Sequence, residues 1–126
     1  MFQPVGIDYL SACQTQAIGL ASSNTIPDSS FSASSTSGSD TPSNGRLNGK
    51  GAWSPSNDNN ANDYLEIDLL HEFLICAVAT QGKSTADHWT KKYKLLTSLN
   101  NKDWATYEEN KTDKVCLNEL WDSDKL

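Results

Sequence analysis

No run of apolar residues in this sequence is long enough to cross a bilayer. The opening MFQPVGIDYLSA has neither the basic segment nor the apolar stretch of a secretory leader, so no signal peptide is expected. Positive charge is short as well: Lys and Arg number 10 against 16 Asp and Glu, a formal charge of −6. That balance repels phosphate backbones and acidic headgroups, which excludes nucleic acid as a partner and argues against an anionic membrane. Histidine is scarce, with His71 and His88 alone, and no Ser or Cys stands in a nucleophile-elbow or Cys-x-x-Cys context. The carboxylates are scattered through loop-like stretches, with no pair set up for acid–base work. The expectation is a protein that is not an enzyme and carries no cofactor. Cysteine is sparse and odd in number, Cys13, Cys76 and Cys116, so the three thiols cannot all pair within one molecule. Sustained helical periodicity and internal repeats are also missing.

What is present is a chain of 126 residues, enough for one domain, with 37% hydrophobic residues and hence a lean core. Residues 22–62 are dominated by Ser, Asn, Gly, Asp and Thr, yet Phe31, Leu47 and Trp53 are spaced through them. That pattern reads as long loops anchored by a few apolar residues rather than as a linker. In YLEIDLL the residues Leu65, Ile67 and Leu69 alternate with Tyr64, Glu66 and Asp68, the signature of a half-buried strand. FLICAVAT, Phe73 to Thr80, is apolar on nearly every residue and is predicted to be a strand covered on both faces, with Cys76 a small core residue. KKYKLLTSLNNKDWATY reads as a hairpin turned at NNKD, with Trp104 opening the return strand. The fold class is therefore all-β, a sandwich or jelly roll of short strands and long loops.

Six segments in order carry a resemblance: Cys13; IGLASSNTIPDSSFSASS from Ile18; GRLNGKGAW from Gly45; YLEIDLL; AVATQG; and KKYKLLTSLNNKDWATY followed by DKV at Asp113. The chain resembles the discoidin domain, also called the coagulation factor V/VIII type C domain. That family reads as a Cys, then LGM…I.D..I.ASS, RLN…AW, WLQVDLG, TQG and Y.V.YS.DG..W..Y. The resemblance implies a galactose-binding-like jelly-roll β-sandwich of two packed sheets. It places residues 1–12 in an N-terminal extension, residues 13–115 in an incomplete domain, and residues 116–126 in a divergent tail that lacks the family's last strands. It assigns structural roles to Cys13, Arg46, Trp53, Asp68, Gln81 and Trp104. Leu70 stands where the family usually has Gly, and Tyr64 where it often has Trp. Asp68 has two readings, a solvated strand residue or a carboxylate bonded to loop backbone. The family's closing Cys, partner of Cys13, is not matched, and Cys13 with Cys116 is one alternative bridge. Removing late strands would uncover a core face and leave a chain that is poorly stable or aggregation-prone.

Domains of this kind share a scaffold and differ in the ligand their loops meet. The corresponding loops here are STSGSDTPSN, with Ser37, Ser39, Asp40 and Asn44, and KSTADHW, with Lys83, Asp87, His88 and Trp89; a third candidate spans Asn48 to Asn62. The first loop has no Trp, Phe, Leu or Met to wedge into a membrane. His88 beside Trp89 sets a donor next to an aromatic face, although an inward-packed Trp89 with a solvated His88 is the plainer reading. DNNAND offers Asp58, Asn60 and Asp63 as oxygen donors at spaced positions, but it lacks the Gly and Glu of a calcium loop; calcium is the one cofactor left open. Asn110-Lys111-Thr112 is an N-glycosylation sequon if the chain is secreted. The functional expectation is an extracellular recognition or adhesion module, part of a larger multidomain protein, binding a glycan or a protein through polar loops. The alternatives are a carbohydrate-binding appendage of a secreted enzyme, and a fragment without independent activity.

Overall fold

A computed structural model describes residues 17–109, apart from 76, 77 and 79, together with 112–113 and 115–117. The expectations placed on residues 1–12, on Cys13, on Cys76 and on Asn110 lie outside the described residues. Every regular element among the described residues is a short strand or a 3-10 turn, so the chain is all-β. The chain divides into two units, residues 1–87 and 88–126.

In the first unit, Ser22 accepts the N–H groups of Thr25 (3.2 Å) and Ile26 (3.0 Å) and donates its own to Gly19 O. Gly19 has φ +103°, and a Cβ there would stand 2.7 Å from Thr25 Cγ2. Only glycine fits that turn. Pro27 then leads into a 3-10 turn, Asp28–Ser30, which delivers the chain to β1, Phe31–Ala33. β1 pairs antiparallel with β2, Leu65–Ile67, in the register Phe31↔Ile67, Ser32↔Glu66, Ala33↔Leu65. Backbone bonds from Ser34 N–H to Tyr64 O (3.1 Å) and from Asp68 N–H to Ser30 O (2.8 Å) carry the ladder one step further at each end. Leu65, Ile67 and Leu69 are half-buried while Tyr64 and Asp68 are exposed, as the alternation predicts; Glu66 departs from it and is half-buried.

The buried apolar residues among those described are Ile26 and Phe31. The group that ties them together is charged. Arg46 follows a second 3-10 turn, Pro42–Gly45, and stacks its guanidinium 4.5 Å from the Phe31 ring centre. Its side chain is only 12% exposed, and burying it is made tolerable by four hydrogen bonds. Nε (3.1 Å) and Nη2 (2.6 Å) donate to Asp28 Oδ1, Nη1 to Leu20 O (2.8 Å) and Nη2 to Ile26 O (2.6 Å). Trp53 is half-buried, its indole donating to Ser35 O at 3.0 Å.

One expectation is overturned in this unit. The run Phe73 to Thr80 is not a buried strand: none of its described residues is in a strand, and Phe73 (44%), Leu74 (82%), Ile75 (37%) and Val78 (47%) are all exposed. A continuous apolar run becomes a two-faced core strand only where a layer covers each side, and the exposure of these four side chains shows that such cover is missing here. The local pattern recorded the apolarity and could not supply the cover.

In the second unit β3, Lys92–Lys94, pairs antiparallel with β8, Val115–Leu117. β4, Leu96–Thr97, pairs with β5, Ala105–Thr106, closing the expected hairpin, and Tyr107 N–H to Leu95 O (2.8 Å) extends it. β6, Glu108–Glu109, pairs with β7, Thr112–Asp113. The hairpin turn is built by Asn100, whose Oδ1 accepts the N–H groups of Lys102 and Asp103 at 2.9 Å each, while Asn101 takes φ 56°. These are the Asx contacts that make NNKD a turn.

Candidate ligand-binding loops

The Ser35–Asn44 loop is held from three sides. Ser35 Oγ donates to Asp63 Oδ1 (2.9 Å) and accepts from Ser56 N–H (3.0 Å), and Ser37 N–H donates to Ser54 O (2.9 Å). Ser54 N–H (3.3 Å) and Oγ (2.8 Å) return to Asp40 O and Asp40 Oδ2. Asp40 also receives both bonds of a bidentate contact from Lys83 Nζ, at 2.9 and 2.8 Å. The side chains of this ion pair are 22% exposed at Lys83 and 18% at Asp40, so solvent screens it less than a surface pair. Asn44 Nδ2 donates to Ser39 O at 2.8 Å. Of the four residues singled out here, Asp40 and Asn44 therefore brace the loop, while Ser37 and Ser39 stand exposed beside Gly38.

The Asn57–Asp63 stretch is two successive Asx turns: Asn57 Oδ1 accepts from Asn59 N–H (3.0 Å) and Asn60 Oδ1 from Asn62 N–H (3.1 Å). Asp58 is exposed. Asp63 turns toward the β1 end, where Oδ1 accepts from Ser34 Oγ (2.7 Å) and Ser35 Oγ (2.9 Å), and its Oδ2 is buried with no hydrogen-bond donor. Asn60 Oδ1 and Asp63 Oδ1 are thus used on the chain itself. Among the described residues no group of three or more His, Cys, Asp and Glu side chains is placed to hold a metal ion.

The KSTADHW loop begins in the first unit. Lys83 is spent on Asp40, Ser84 Oγ donates to Lys50 O (3.3 Å), and Asp87 is exposed. His88 and Trp89 open the second unit; His88 is exposed and Trp89 is 39% exposed. Gln81 Oε1 accepts from Asn48 N–H at 2.7 Å, with Asn48 at φ 60°. Asp68 does both things its two readings proposed: it is exposed, and its Oδ1 accepts Leu70 N–H at 2.8 Å. Trp104 lies just before β5 and is 43% exposed. Sequence reasoning missed Asp28, Leu20 and Ile26 as the partners of Arg46, and Ser54 as the partner of Asp40. No local signal links residues 14 to 26 positions apart in a loop-rich segment.

This arrangement, short strands carrying braced polar loops, coincides with a match of residues 30–124 to the F5/8 type C domain family. The chain belongs to that family. Such discoidin domains are β-sandwiches and typically serve as extracellular ligand-binding modules. Neuropilin-2 of Rattus norvegicus and of Homo sapiens are each 38% identical to this chain over 100 residues, and neuropilin-2 of Mus musculus is 37% identical. Each alignment takes in 74% of this chain and 11% of the relative, so this F5/8 type C domain spans about a tenth of those proteins.

Proposed function

We propose that this F5/8 type C domain is a non-catalytic recognition module, acting outside the cell or at its surface as part of a larger protein, whose polar loops bind a glycan or a protein. The observation that carries the reading is the bracing of Asp40 by Lys83 and Ser54, which fixes the loop that presents Ser37 and Ser39. A loop ordered before binding loses less entropy when its ligand arrives. Its exposed groups are hydroxyls and amides, suited to hydroxyl-rich ligands or polar protein surfaces. The charge of −6 and the absence of an apolar wedge on that loop favour these over acidic lipid.

The test is a binding screen of the chain against a glycan array, a panel of extracellular protein domains, and liposomes containing phosphatidylserine. Binding to a glycan or protein that weakens in the double variant Ser37→Ala, Ser39→Ala is the expected result. Strong, salt-resistant binding to the acidic liposomes would overturn it, as would binding that ignores the double variant.

A further inference from the structure

A concave site lies in the first unit, beside the Asn44 end of the braced loop. Residues 21–28 face residues 43–51 across a cleft of about 280 Å³, lined by Ala21, Ser23, Asp28, Ser43, Arg46 and Lys50 among others. Its size falls just below the range of about 300–1,000 Å³ for small-ligand sites, room for one ring rather than an extended chain. No aromatic residue lines it and Ala21 is its largest apolar side chain, so neither stacking nor apolar burial can hold a ligand there.

The polar groups are unequal in kind. Arg46 is neutralised by Asp28, to which it is bonded at 2.6 Å. Lys50 forms no ion pair among the described residues. Two cations and one carboxylate leave the cleft with one net positive charge in a chain whose total is −6. Ser23 and Ser43 add hydroxyls that can both donate and accept. The rim that carries Lys50 is fixed by its backbone: Gly49 N–H donates to Arg46 O (3.1 Å), Asn48 N–H to Gln81 Oε1 (2.7 Å), and Ser84 Oγ to Lys50 O (3.3 Å). The backbone beneath Lys50 is thus held, and its exposed side chain is in no ion pair among the described residues.

We propose that this cleft binds a single hydroxyl-rich ring bearing one carboxylate, a uronic acid unit, with Lys50 pairing the carboxylate and the Ser23 and Ser43 hydroxyls engaging the ring hydroxyls. Ser43 and Asn44, which line the cleft, close the Ser35–Asn44 loop, so the cleft adjoins the stretch that presents Ser37 and Ser39. Lys50 lies outside that loop, and the pairing proposed here does not rest on what Ser37 and Ser39 bind.

The experiment titrates methyl glucuronide and methyl glucoside into the whole chain, following amide chemical shifts. The expected result is that the glucuronide moves the signals of residues 43–51, and that the uncharged glucoside binds about tenfold more weakly, the loss of one charge-assisted contact. Lys50→Ala should abolish that preference, Lys50→Arg should restore it, and Lys102→Ala, a change in the second unit, should leave it intact. Inorganic sulfate and acetate form a further arm: if either binds as well as the glucuronide, the cleft is a bare anion site and the sugar assignment falls. Equal binding of glucuronide and glucoside, no shift in residues 43–51, or a preference that survives Lys50→Ala would each overturn the proposal. Retained backbone spectra in the Lys50 variants separate loss of binding from loss of fold.

Discussion

Two single residues show how much of this domain rests on hydrogen-bond placement rather than on apolar bulk. Arg46 stands over Phe31 and fastens residues 20–28 through three acceptors, Leu20 O, Ile26 O and Asp28. A lysine keeps the charge but not the planar fork, and cannot serve all three acceptors at once. Arg46→Lys should therefore lower stability by about 1–2 kcal/mol, because at least one half-buried carbonyl is left without a donor. The Asp28 share of that figure is small, since its side chain is 67% exposed. The check is a fall in urea midpoint with an unchanged m-value; an unchanged midpoint refutes it. Leu70 poses the opposite case. It holds φ 68° with 50% of its surface exposed, where the family usually has Gly. The left-handed conformation costs an L-residue about 1–2 kcal/mol, while glycine adds about 0.4–1 kcal/mol of unfolded-state entropy. Leu70→Gly should thus stabilise by about 0.5–1 kcal/mol and Leu70→Ala should not, as thermal melts of the two variants would show.

At the scale of elements, the first unit is a two-stranded ladder with loops fastened to its ends, and the fastenings are ionic and hydroxylic. Asp40 gathers Lys83 and Ser54 across 43 and 14 positions of sequence. Replacing Lys83 by Met keeps the stem and leaves a half-buried carboxylate with fewer donors, a loss of about 1–2 kcal/mol. Hydrogen exchange should locate that loss: the Ser37 and Ser54 amides, both bonded within this network, should exchange faster while the Asp68 amide of the β1–β2 ladder changes little. A uniform rise across the unit would mean that the pair supports the whole unit instead. These elements differ in how far they could be read from the chain. β2 was legible because Leu65, Ile67 and Leu69 repeat with period two, and the β4–β5 hairpin because Asn100 makes its turn from within four residues. The family itself was legible from the order of six segments. The Arg46 hub and the Asp40–Lys83 pair were not, since a serine- and asparagine-rich loop has no period from which a partner can be inferred. The Phe73–Thr80 run was misread for a related reason: apolarity is local and burial is not.

At the scale of the whole molecule, that same run sets how the chain behaves in solution. Phe73, Leu74, Ile75 and Val78 present their apolar side chains to water within six residues, between two stretches that carry the charges. An exposed apolar run of this sort is an association hazard, and the net charge of −6 opposes it by mutual repulsion between copies. Added salt screens the repulsion and leaves the apolar attraction, so association should rise with ionic strength over about 0.05–0.5 M, where the Debye length falls below about 10 Å. Leu74, 82% exposed, is the most exposed of the four. Two substitutions separate the causes. If the apolar contact drives association, Leu74→Glu and Leu74→Lys should both lower it in sedimentation measurements, although one raises the net negative charge and the other reduces it. If repulsion alone governs the balance, Glu should help and Lys should worsen matters. Association unchanged in both variants would place the sticky surface elsewhere on the chain.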